Sequence, residues 1–441
     1  MMERYKEYKD SGVKWLGEIP SHWEVVKLKR CAIIKTGTTP PTSNLKYFEN
    51  GDIPWFTPGD INDMNLHFSS KTITKKAIKD NVGRLFPAES IYFVGIGATV
   101  EKVAACDFEA SSNQQINAIM CNDRLDYKFA TYCLLMEQGI IRETTNFVTL
   151  PILNQSSTGL IDIVLPPLPE QDSIVRYLDS ATSEIDKAIA MQQKMIDLLN
   201  ERKQIIIQNA VTKGLDENVE MKESGVEWIG RIPKHWEVEP FSRHLTFGKG
   251  LPITKANLQE EGIAVISYGQ IHAKNNLGTT LTESLVRYVS PTYIETHPQC
   301  LLKGNDFIFA DTSEDIEGSG NFAFNDFDNK IFAGYHTVVA KPNDLLFPKY
   351  YAYLFKSKAW KSQIQSLVNG VKVYSIGRRI LKTSMLLIPS EDEQKNIVKF
   401  LDKQTSAIEK TIETISRQIT LLQERKQIII NEVVTGKVRV S

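Results

Sequence analysis

Residues 9–25 read KDSGVKWLGEIPSHWEV, and residues 222–238 read KESGVEWIGRIPKHWEV, a copy displaced by 213 positions. A second pair of stretches follows. EQDSIVRYLD and LLNERKQIII bound residues 170–207, and EQKNIVKFLD and LLQERKQIII bound residues 393–430. The sequences between these markers are much less alike. A duplicated framework that carries diverged modules is typical of a molecule that reads two different things at a fixed separation.

The repeat predicts an α+β fold in which two mixed globular modules are separated by two long antiparallel α-helices, with an internal pseudo-two-fold axis. Short β-rich runs alternate with turn clusters inside each module. The predicted segments are a framework segment (1–25), the first module (26–164), a central helix (165–214), a repeated framework segment (215–238), the second module (239–387) and a C-terminal helix (388–441).

Both predicted helices carry apolar residues in alternating steps of three and four, which is typical of a coiled-coil seam. Proline precedes each helix, and Gly214 or Gly436 follows it, as expected at helix ends. Gln192 and Gln418 interrupt the seam and would set the register of an antiparallel pair. Two separate amphipathic helices, each packed on its own module, remain the alternative. The predicted pairing residues are Leu178, Ile185, Met195, Leu199, Ile206, Leu401, Ile408, Ile415, Leu422 and Ile429.

Composition bounds the protein class. The 52 basic and 53 acidic residues give a net charge of −1, which argues weakly against nucleic acid as a partner. Five cysteines without CxxC spacing favour reduced thiols in a cytoplasm over a disulfide framework. The charged N-terminus has no apolar stretch behind it, so we expect no secretory signal. No apolar run reaches the roughly 20 residues of a membrane helix.

Basic residues are nevertheless clustered. Residues 349–382 contain eight Lys or Arg and no acid, and residues 64–79 contain four Lys and no acid. In the second module the basic residues alternate with Tyr351, Tyr353, Trp360 and Tyr374, which predicts a DNA-binding surface. A solvated basic face over an aromatic core stripe is the alternative. The candidate DNA-binding residues are Thr38, Thr39, Lys71, Lys75, Lys76, Lys79, Asn113, Gln114, Gln115, Lys249, Tyr268, Gln270, Lys358, Lys361, Lys372, Tyr374, Arg378 and Arg379.

Signatures of chemistry are missing from the sequence. It has no GxxxxGK[ST] loop, no complete dinucleotide fingerprint and no histidine spacing typical of a metal site. His22 and His235 lie inside the repeated IPxHWE motif, where a structural role is expected. We therefore expect no catalytic residues, no metal and no cofactor in this chain.

The sequence resembles the specificity (S) subunit of type I restriction–modification systems over nearly its whole length. The resemblance rests on the twin GVxWxGxIPxHWEV motifs, GDIPWFTPGDI at residues 51–61, LPPLPEQ before the first helix, and the twin LLxERKQIII motifs. The second module departs from this pattern, because residues 267–271 read SYGQI where residues 57–61 read TPGDI.

The resemblance implies two target recognition domains, each of which reads one half of an asymmetric, bipartite site in double-stranded DNA, with the gap set by the helices. It also implies docking of two methyltransferase (M) subunits and of restriction/motor (R) subunits. S-adenosylmethionine, ATP and Mg would belong to those partners. A self-contained DNA-modifying enzyme is the rival from another class, and a coiled-coil spacer that binds no nucleic acid is a third hypothesis.

Overall fold

The computed structural model describes residues 3–97, 99–136, 152–326, 330–370 and 373–440. The chain forms two compact units, one made of residues 1–192 with 417–441 and the other of residues 193–416. Within the described ranges, no helix is both long and apolar enough to span a membrane.

The first unit combines short strands with helices. Its strands are β1 (Tyr8–Asp10), β2 (Glu18–Pro20), β3 (Glu24–Lys27), β4 (Ala32–Thr36), β5 (Ile53–Phe56), β6 (Thr72–Ile73), β7 (Leu85–Phe86), β8 (Ser90–Val94), β9 (Val103–Cys106), β10 (Ala110–Ser112), β11 (Ile116–Cys121) and β12 (Asp162–Leu165). Its helices are Lys75–Lys79, Tyr127–Met136, Gln155–Thr158 and the start of the first long helix, Leu168–Lys213.

The second unit repeats this plan. Its strands are β13 (Met221–Glu223), β14 (Arg231–Pro233), β15 (Glu237–Pro240), β16 (Leu245–Lys249), β17 (Ile263–Ile266), β18 (Arg287–Val289), β19 (Leu301–Leu302), β20 (Phe307–Ala310), β21 (Thr312–Ser313), β22 (Phe322–Phe324), β23 (Ile331–Ala333), β24 (Thr337–Pro342), β25 (Tyr374–Ser375) and β26 (Met385–Ile388). Its helices are Phe241–His244, Tyr268–Ile271, Tyr293–Thr296, Pro348–Lys356, Lys358–Gln365, Arg378–Thr383 and the start of the second long helix, Glu391–Val434.

Sheet topology confirms the internal repeat. Each module has two four-stranded sheets, with strand orders β4-β11-β8-β9 and β6-β5-β10-β7 in the first module and β16-β24-β20-β22 and β18-β17-β23-β19 in the second. The second sheet of each module contains one parallel pair, β5 with β10 and β17 with β23. The same sheets in the same order show that one fold occurs twice.

The repeated framework motif packs against the end of a long helix in each unit. In the first unit Trp23 shares a core with Val433 and Val434, and in the second unit Trp236 shares a core with Ile207 and Val211. The residues after the helices, Gly214 and Gly436, have φ values of +75° and +71°. A glycine adopts this left-handed conformation without penalty, so it ends each helix where the motif packs.

The two long helices run antiparallel. In the first unit Lys426 Nζ lies 2.7 Å from Asp186 Oδ2, and Gln192 Nε2 donates to Gln418 Oε1 at 3.3 Å. In the second unit Lys203 Nζ lies 3.5 Å from Glu409 Oε1. Residue numbers rise along one helix as they fall along the other. The helix pair is therefore the α-helical framework that the apolar pattern predicts.

The structure corrects the predicted seam at Met195, whose side chain is 51% exposed. The neighbouring Ile196 is half-buried instead, as are Ile412 and Ile419 in the second helix. Two apolar patterns fit the first helix, and both contain Ile185, Gln192 and Leu199. They differ only between these residues, where one pattern selects Met195 and the other Ile196, and the sequence alone does not choose between them. The other predicted residues are buried (Leu178, Ile185, Leu401, Ile408) or half-buried (Leu199, Ile206, Ile415, Leu422, Ile429).

Candidate nucleic-acid interface

The parallel strand pair gives each module an edge at which two loops meet. Carboxyl ends of parallel strands lie side by side, and ligands of sheet proteins commonly bind there. In the first module the Asn113 N–H donates to Phe56 O at 3.0 Å, and in the second the Gly334 N–H donates to Ile266 O at 2.7 Å. We call the loops around this point the recognition edge. They comprise residues 37–39, 57–61, 95–97 and 113–115 in the first module and 250–252, 267–271, 311–318 and 334–336 in the second.

The same backbone hydrogen bonds build both recognition edges. The further matched pairs are Gly37 N to Ile116 O (3.0 Å) with Gly250 N to Thr337 O (3.2 Å), Thr38 N to Ser112 O (2.8 Å) with Leu251 N to Ala333 O (2.8 Å), Gly95 N to Gln115 O (2.8 Å) with Asp311 N to His336 O (3.1 Å), and Leu153 N to Gly95 O (2.7 Å) with Ile376 N to Asp311 O (2.7 Å). The two edges therefore have one backbone design.

Glycine is required where the first loop crosses the strand pair. A Cβ at Gly37 would overlap the carbonyl oxygen of Asn113, and a Cβ at Gly250 would overlap the carbonyl oxygen of Gly334. Backbone segments approach this closely only when no side chain lies between them. The two glycines therefore hold the recognition edge together in both modules.

A side-chain cap fixes the turn after the first parallel strand. The Thr57 N–H donates to Asp60 Oδ2 at 2.8 Å, and the Ser267 N–H donates to Gln270 Oε1 at 3.1 Å. Burial alone would raise the pKa of Asp60, but hydrogen bonds from Ser70 and Thr57 outweigh burial and hold it below its usual value. The candidate Gln270 thus has its carbonyl oxygen engaged in the turn.

Amide and hydroxyl groups cover the recognition edge of the first module. Asn113 is buried and bonds within the loop, since its Oδ1 accepts from the Gln115 N–H at 3.0 Å. Gln115 is half-buried and donates to Ile96 O at 3.4 Å. Gln114 and Thr39 are exposed and hydrogen-bonded to each other, while Thr38 is half-buried. Gln114 and Thr39 are therefore the groups best placed to meet a base edge.

The four candidate lysines of the first module are all exposed, and Lys71 directly precedes β6, the neighbour of β5. Lys71 is joined to β5 through the backbone, because its carbonyl oxygen accepts from the Trp55 N–H at 3.0 Å. Lys75 and Lys76 form ion pairs with Asp52 (3.2 Å) and Asp80 (2.9 Å). Among the described residues no carboxylate pairs with Lys71 or Lys79, which are accordingly the better candidates for phosphate contacts.

Aromatic rings replace the amides at the recognition edge of the second module. The Tyr268 ring meets the rings of Tyr335 and His336 edge-on, with centroids 5.6 Å and 5.5 Å apart. These residues stand where the first module has Pro58, Gln114 and Gln115. Lys249, at the end of β16, is exposed. The backbone design is shared, but the groups offered to a ligand are different.

The structure contradicts the predicted basic–aromatic surface over residues 349–361. Tyr351, Tyr353 and Trp360 are buried in the core of the second unit, and the Tyr353 hydroxyl donates to Asp402 Oδ1 at 2.7 Å. The helical period places these rings on the face packed against the unit's interior, which is the alternative that the sequence left open. Lys358 remains exposed.

Lys361 is a poor candidate for DNA binding. Its Nζ donates to Asn321 Oδ1 at 2.5 Å, and burial lowers its pKa. An ammonium that is surrounded by protein and already bonded does not reach a phosphate.

The remaining candidates of the second module come after the helix Lys358–Gln365 in the chain. Tyr374 is half-buried in β25, which pairs with β21. Arg378 is half-buried and Arg379 exposed at the start of the helix Arg378–Thr383, and neither has a carboxylate partner among the described residues. Lys372 lies outside the described residues.

Sequence reasoning missed Tyr335 and His336. The offset between the repeats grows from 213 at the framework motif to 221 at Lys128 and Lys349. Adding the offset of 221 to Asn113, Gln114 and Gln115 leads to residues 334–336. The repeat in the sequence could therefore have identified Tyr335 and His336. Elsewhere, among the described residues, no group of three or more His, Cys, Asp or Glu could hold a metal ion.

Comparisons with known proteins agree with this architecture. The model of the type I restriction modification DNA specificity domain matches residues 20–194 and again residues 244–420. The MjaVIII type I restriction enzyme specificity subunit of Methanocaldococcus jannaschii is 23% identical over 100% of this chain and 98% of its own length. The MjaIX specificity subunit of the same organism is 24% identical over 98% of this chain and 97% of its own.

A solved structure described as the basis of complex assembly and conformational transition of the type I R-M system has the same fold. It superposes with a TM-score of 0.65 at 14% identity and covers 94% of this chain and 98% of its own. With two matches to the family model that together cover most of its length, the chain belongs to the family of type I restriction–modification DNA specificity domains.

Proposed function

We propose that this chain is the DNA-recognition subunit of a type I restriction–modification complex and that each module reads one half of an asymmetric, bipartite site. One observation carries this proposal. The two recognition edges share their backbone hydrogen bonds, yet Gln114 and Gln115 of the first module are replaced by Tyr335 and His336 in the second. A shared backbone with different side chains suits two modules that dock on DNA alike and read different bases.

The side chains suit a division between reading and positioning. Gln114 can pair with the N6 and N7 atoms of an adenine, and Thr39 can bond to any base edge. Lys71, Lys79 and Arg379 can neutralise phosphates, which contributes affinity without sequence information. In this proposal the two recognition edges choose the sequence, and the surrounding cations hold the modules on the duplex.

The length of the paired helices is proposed to set the gap between the half-sites. Gln192 and Gln418, which are hydrogen-bonded across the pair, mark where it can be lengthened evenly. Four residues inserted in both helices add about 6 Å, or roughly two base pairs at 3.4 Å each. The preferred gap in a library of sites should lengthen accordingly. A preferred gap that stays fixed while binding persists would show that the helices do not set it.

The helices also carry a repeated outward face. Leu198 and Ile205 in the second unit and Leu421 and Ile428 in the first are each slightly more than half exposed. Leu198 and Leu421 occupy the first position of the LLxERKQIII motif, and Ile205 and Ile428 occupy the eighth. Because these side chains are exposed, packing inside the protein does not explain why both copies carry the same residue. A copied apolar surface favours two copies of one partner, and we propose two methyltransferase subunits there. Restriction/motor subunits would join that complex.

Catalysis is proposed to belong to the partners, together with S-adenosylmethionine, ATP and Mg. The purified chain should then bind DNA without methylating or cutting it. Binding of S-adenosylmethionine by the isolated chain, or methylation without partners, would favour the rival hypothesis of a self-contained enzyme. A cytoplasmic location, with its reduced thiols, remains a prediction.

The deciding experiment is selection of bound sites from a randomised DNA library by the purified chain. We expect two short conserved half-sites separated by a fixed gap. Exchanging residues 239–387 for those of a relative should change one half-site and leave the other intact. A single continuous site, or a change in both halves after the exchange, would contradict the modular function.

A further inference from the structure

A cavity of about 730 Å³ opens at the recognition edge of the second module. Its wall includes Tyr268 and His336 from the loops after the two parallel strands, and Thr312, Glu314 and Glu317 from the hairpin at residues 311–318. This volume is typical of sites that enclose a small molecule or a side group, and it is more than contact with a flat groove edge requires. The hairpin that forms one wall is also longer than its counterpart. The matched N–H···O bonds that close the hairpins join Ala310 to Asn321 and Val94 to Lys102.

The floor of the cavity is a fixed chain of hydrogen bonds. The Lys361 ammonium donates to Asn321 Oδ1 at 2.5 Å, and the Asn321 amide lies 3.2 Å from His272 Nδ1. His272 Nε2 lies 2.8 Å from the carbonyl oxygen of Thr312, which can only accept. His272 Nε2 therefore carries the proton, and Nδ1 accepts from Asn321. These bonds fix the orientations of Asn321 and His272 and engage the ring proton of His272 within the protein.

The remaining polar groups of the wall are mostly acceptors. His336 Nδ1 lies 3.2 Å from Asp311 Oδ1, and a carboxylate oxygen only accepts, so Nδ1 donates there. Glu314 and Glu317 are exposed at the rim, with no cationic partner among the described residues. The three carboxylates that line the cavity, those of Glu314, Asp315 and Glu317, favour a ligand that brings hydrogen-bond donors, as an exocyclic amino group does.

The aromatic wall is held rigidly. Tyr268 contacts three rings edge-on, those of His272 at 6.3 Å, Tyr335 at 5.6 Å and His336 at 5.5 Å between centroids. Contacts with three rings limit the rotation of the Tyr268 ring, and an aromatic ring held in one orientation suits stacking with a flat ligand. The first module has Pro58 at the position of Tyr268, and proline has no aromatic ring for such stacking.

We propose that this cavity receives one unstacked nucleobase of the second module's half-site, a base with an exocyclic amino group, that is, adenine or cytosine. The base would stack on Tyr268 and donate its amino hydrogens to the acceptors of the wall. Reading an extruded base by stacking and by its pairing edge is chemistry that proteins use when a groove edge does not suffice. The inference rests on the proposed DNA-recognition function. It implies that the two modules recognise different bases and also do so by different physical means.

The test uses the full chain and its selected site. Aminopurine, a fluorescent base that stacking quenches, is placed in turn beside each amino-bearing base of the second half-site, so that the base under test keeps its amino group. We expect a fluorescence rise on binding at one position. Tyr268→Ala should abolish the rise and Tyr268→Phe should keep it, because phenylalanine retains the stacking face. Tyr288→Ala is the matched control and should leave the rise unchanged, because Tyr288 is an exposed tyrosine of the same module that does not line the cavity.

A second measurement does not depend on how Tyr268→Ala folds. Replacing the extruded base with an analogue that lacks the amino group should weaken wild-type binding about tenfold, since one lost base contact typically costs that much or more. The double variant Glu314→Ala/Glu317→Ala, altered only at exposed residues, removes both acceptors and should lose this discrimination.

Three outcomes would overturn the inference. They are specific binding without a rise at any position, a rise that survives Tyr268→Ala, and discrimination that the double variant retains. Failure of the chain to select any DNA site would overturn the proposed function itself, so the two failures are distinguishable.

Discussion

In the first module the loop after β10 carries Asn113, Gln114 and Gln115, whereas the matching loop of the second module carries Gly334, Tyr335 and His336. The backbone bonds that hold the two loops are the same to within a few tenths of an ångström. One backbone can therefore support either an amide surface or an aromatic cavity. This difference shows that a loop held in place by backbone hydrogen bonds can exchange its side chains without losing its conformation.

The largest effect is expected from a charge inside the helix pair. Ile185 and Ile408 are equivalent, 223 residues apart, and both are buried. Ile185→Asp or Ile408→Asp should each lower the free energy of unfolding by about 3 kcal/mol or more, because an unpaired charge replaces packed methyl groups. Urea unfolding and binding to the bipartite site measure the effect. Met195→Asp is the control, and at an exposed position it should change stability by about 0.5 kcal/mol or less. Unequal effects at the two isoleucines would break the equivalence of the repeats.

The next effect concerns the two glycines of the recognition edges. Gly37→Ala and Gly250→Ala should each cost about 1–3 kcal/mol, since the added methyl group overlaps backbone oxygen. Each variant should lose recognition of its own half-site and keep the other, as a library selection would reveal. Gly377→Ala is the control, because Gly377 lies outside the recognition edge and its Cβ would meet nothing within 4 Å. Loss of both half-sites in either variant would contradict the independence of the modules.

A smaller effect on DNA binding is expected from Arg378 and Arg379, because the first module has uncharged residues at the equivalent positions. The matched bonds of Leu153 and Ile376 align Arg378 and Arg379 with Gln155 and Ser156 of the first module. Arg378→Ala/Arg379→Ala should weaken binding to all DNA sequences and lower the slope of log affinity against log salt by up to about two units. Ser156→Ala should leave that slope unchanged. An unaltered slope in the arginine variant would mark both arginines as ordinary surface residues.

The smallest effect is expected on the pH dependence of stability, because the turn is capped by the ionisable Asp60 in the first module and by the uncharged Gln270 in the second. The lowered pKa of Asp60 means that its ionised form stabilises the fold above the unfolded value of about 3.9. That contribution, about 1 kcal/mol or less for a net hydrogen bond, should vanish as pH falls through the folded pKa. Asp60→Asn should remove the dependence. Gln270→Glu should introduce a corresponding one in the second module. Unfolding in urea between pH 7 and pH 3 tests both, and parallel curves for wild type and Asp60→Asn would contradict it.

The sequence predicted the framework because its signals are local or repeated. A long stretch without proline or glycine after Pro169, ended by Gly214, predicts a helix from local conformational preference, and the structure places it at Leu168–Lys213. The choice between Met195 and Ile196 needed the partner helix. The recognition edge depends on bonds such as Gly37 N to Ile116 O, between residues far apart in the chain. The burial of Trp360 likewise depends on packing partners that the local pattern does not contain.

The first unit needs the last part of the chain. Trp23 shares its core with Val433 and Val434, and the Arg439 N–H donates to Glu3 O at 2.8 Å, whereas residues 193–416 are contiguous. On a ribosome that adds about 5–20 residues per second, the N-terminal module emerges first but waits roughly 10 to 45 seconds for the segment that completes its core. The second unit can close during that interval. The order of synthesis and the order of completion are thus reversed, and the aromatic residues of the first framework motif are the surface that a chaperone would have to shield meanwhile.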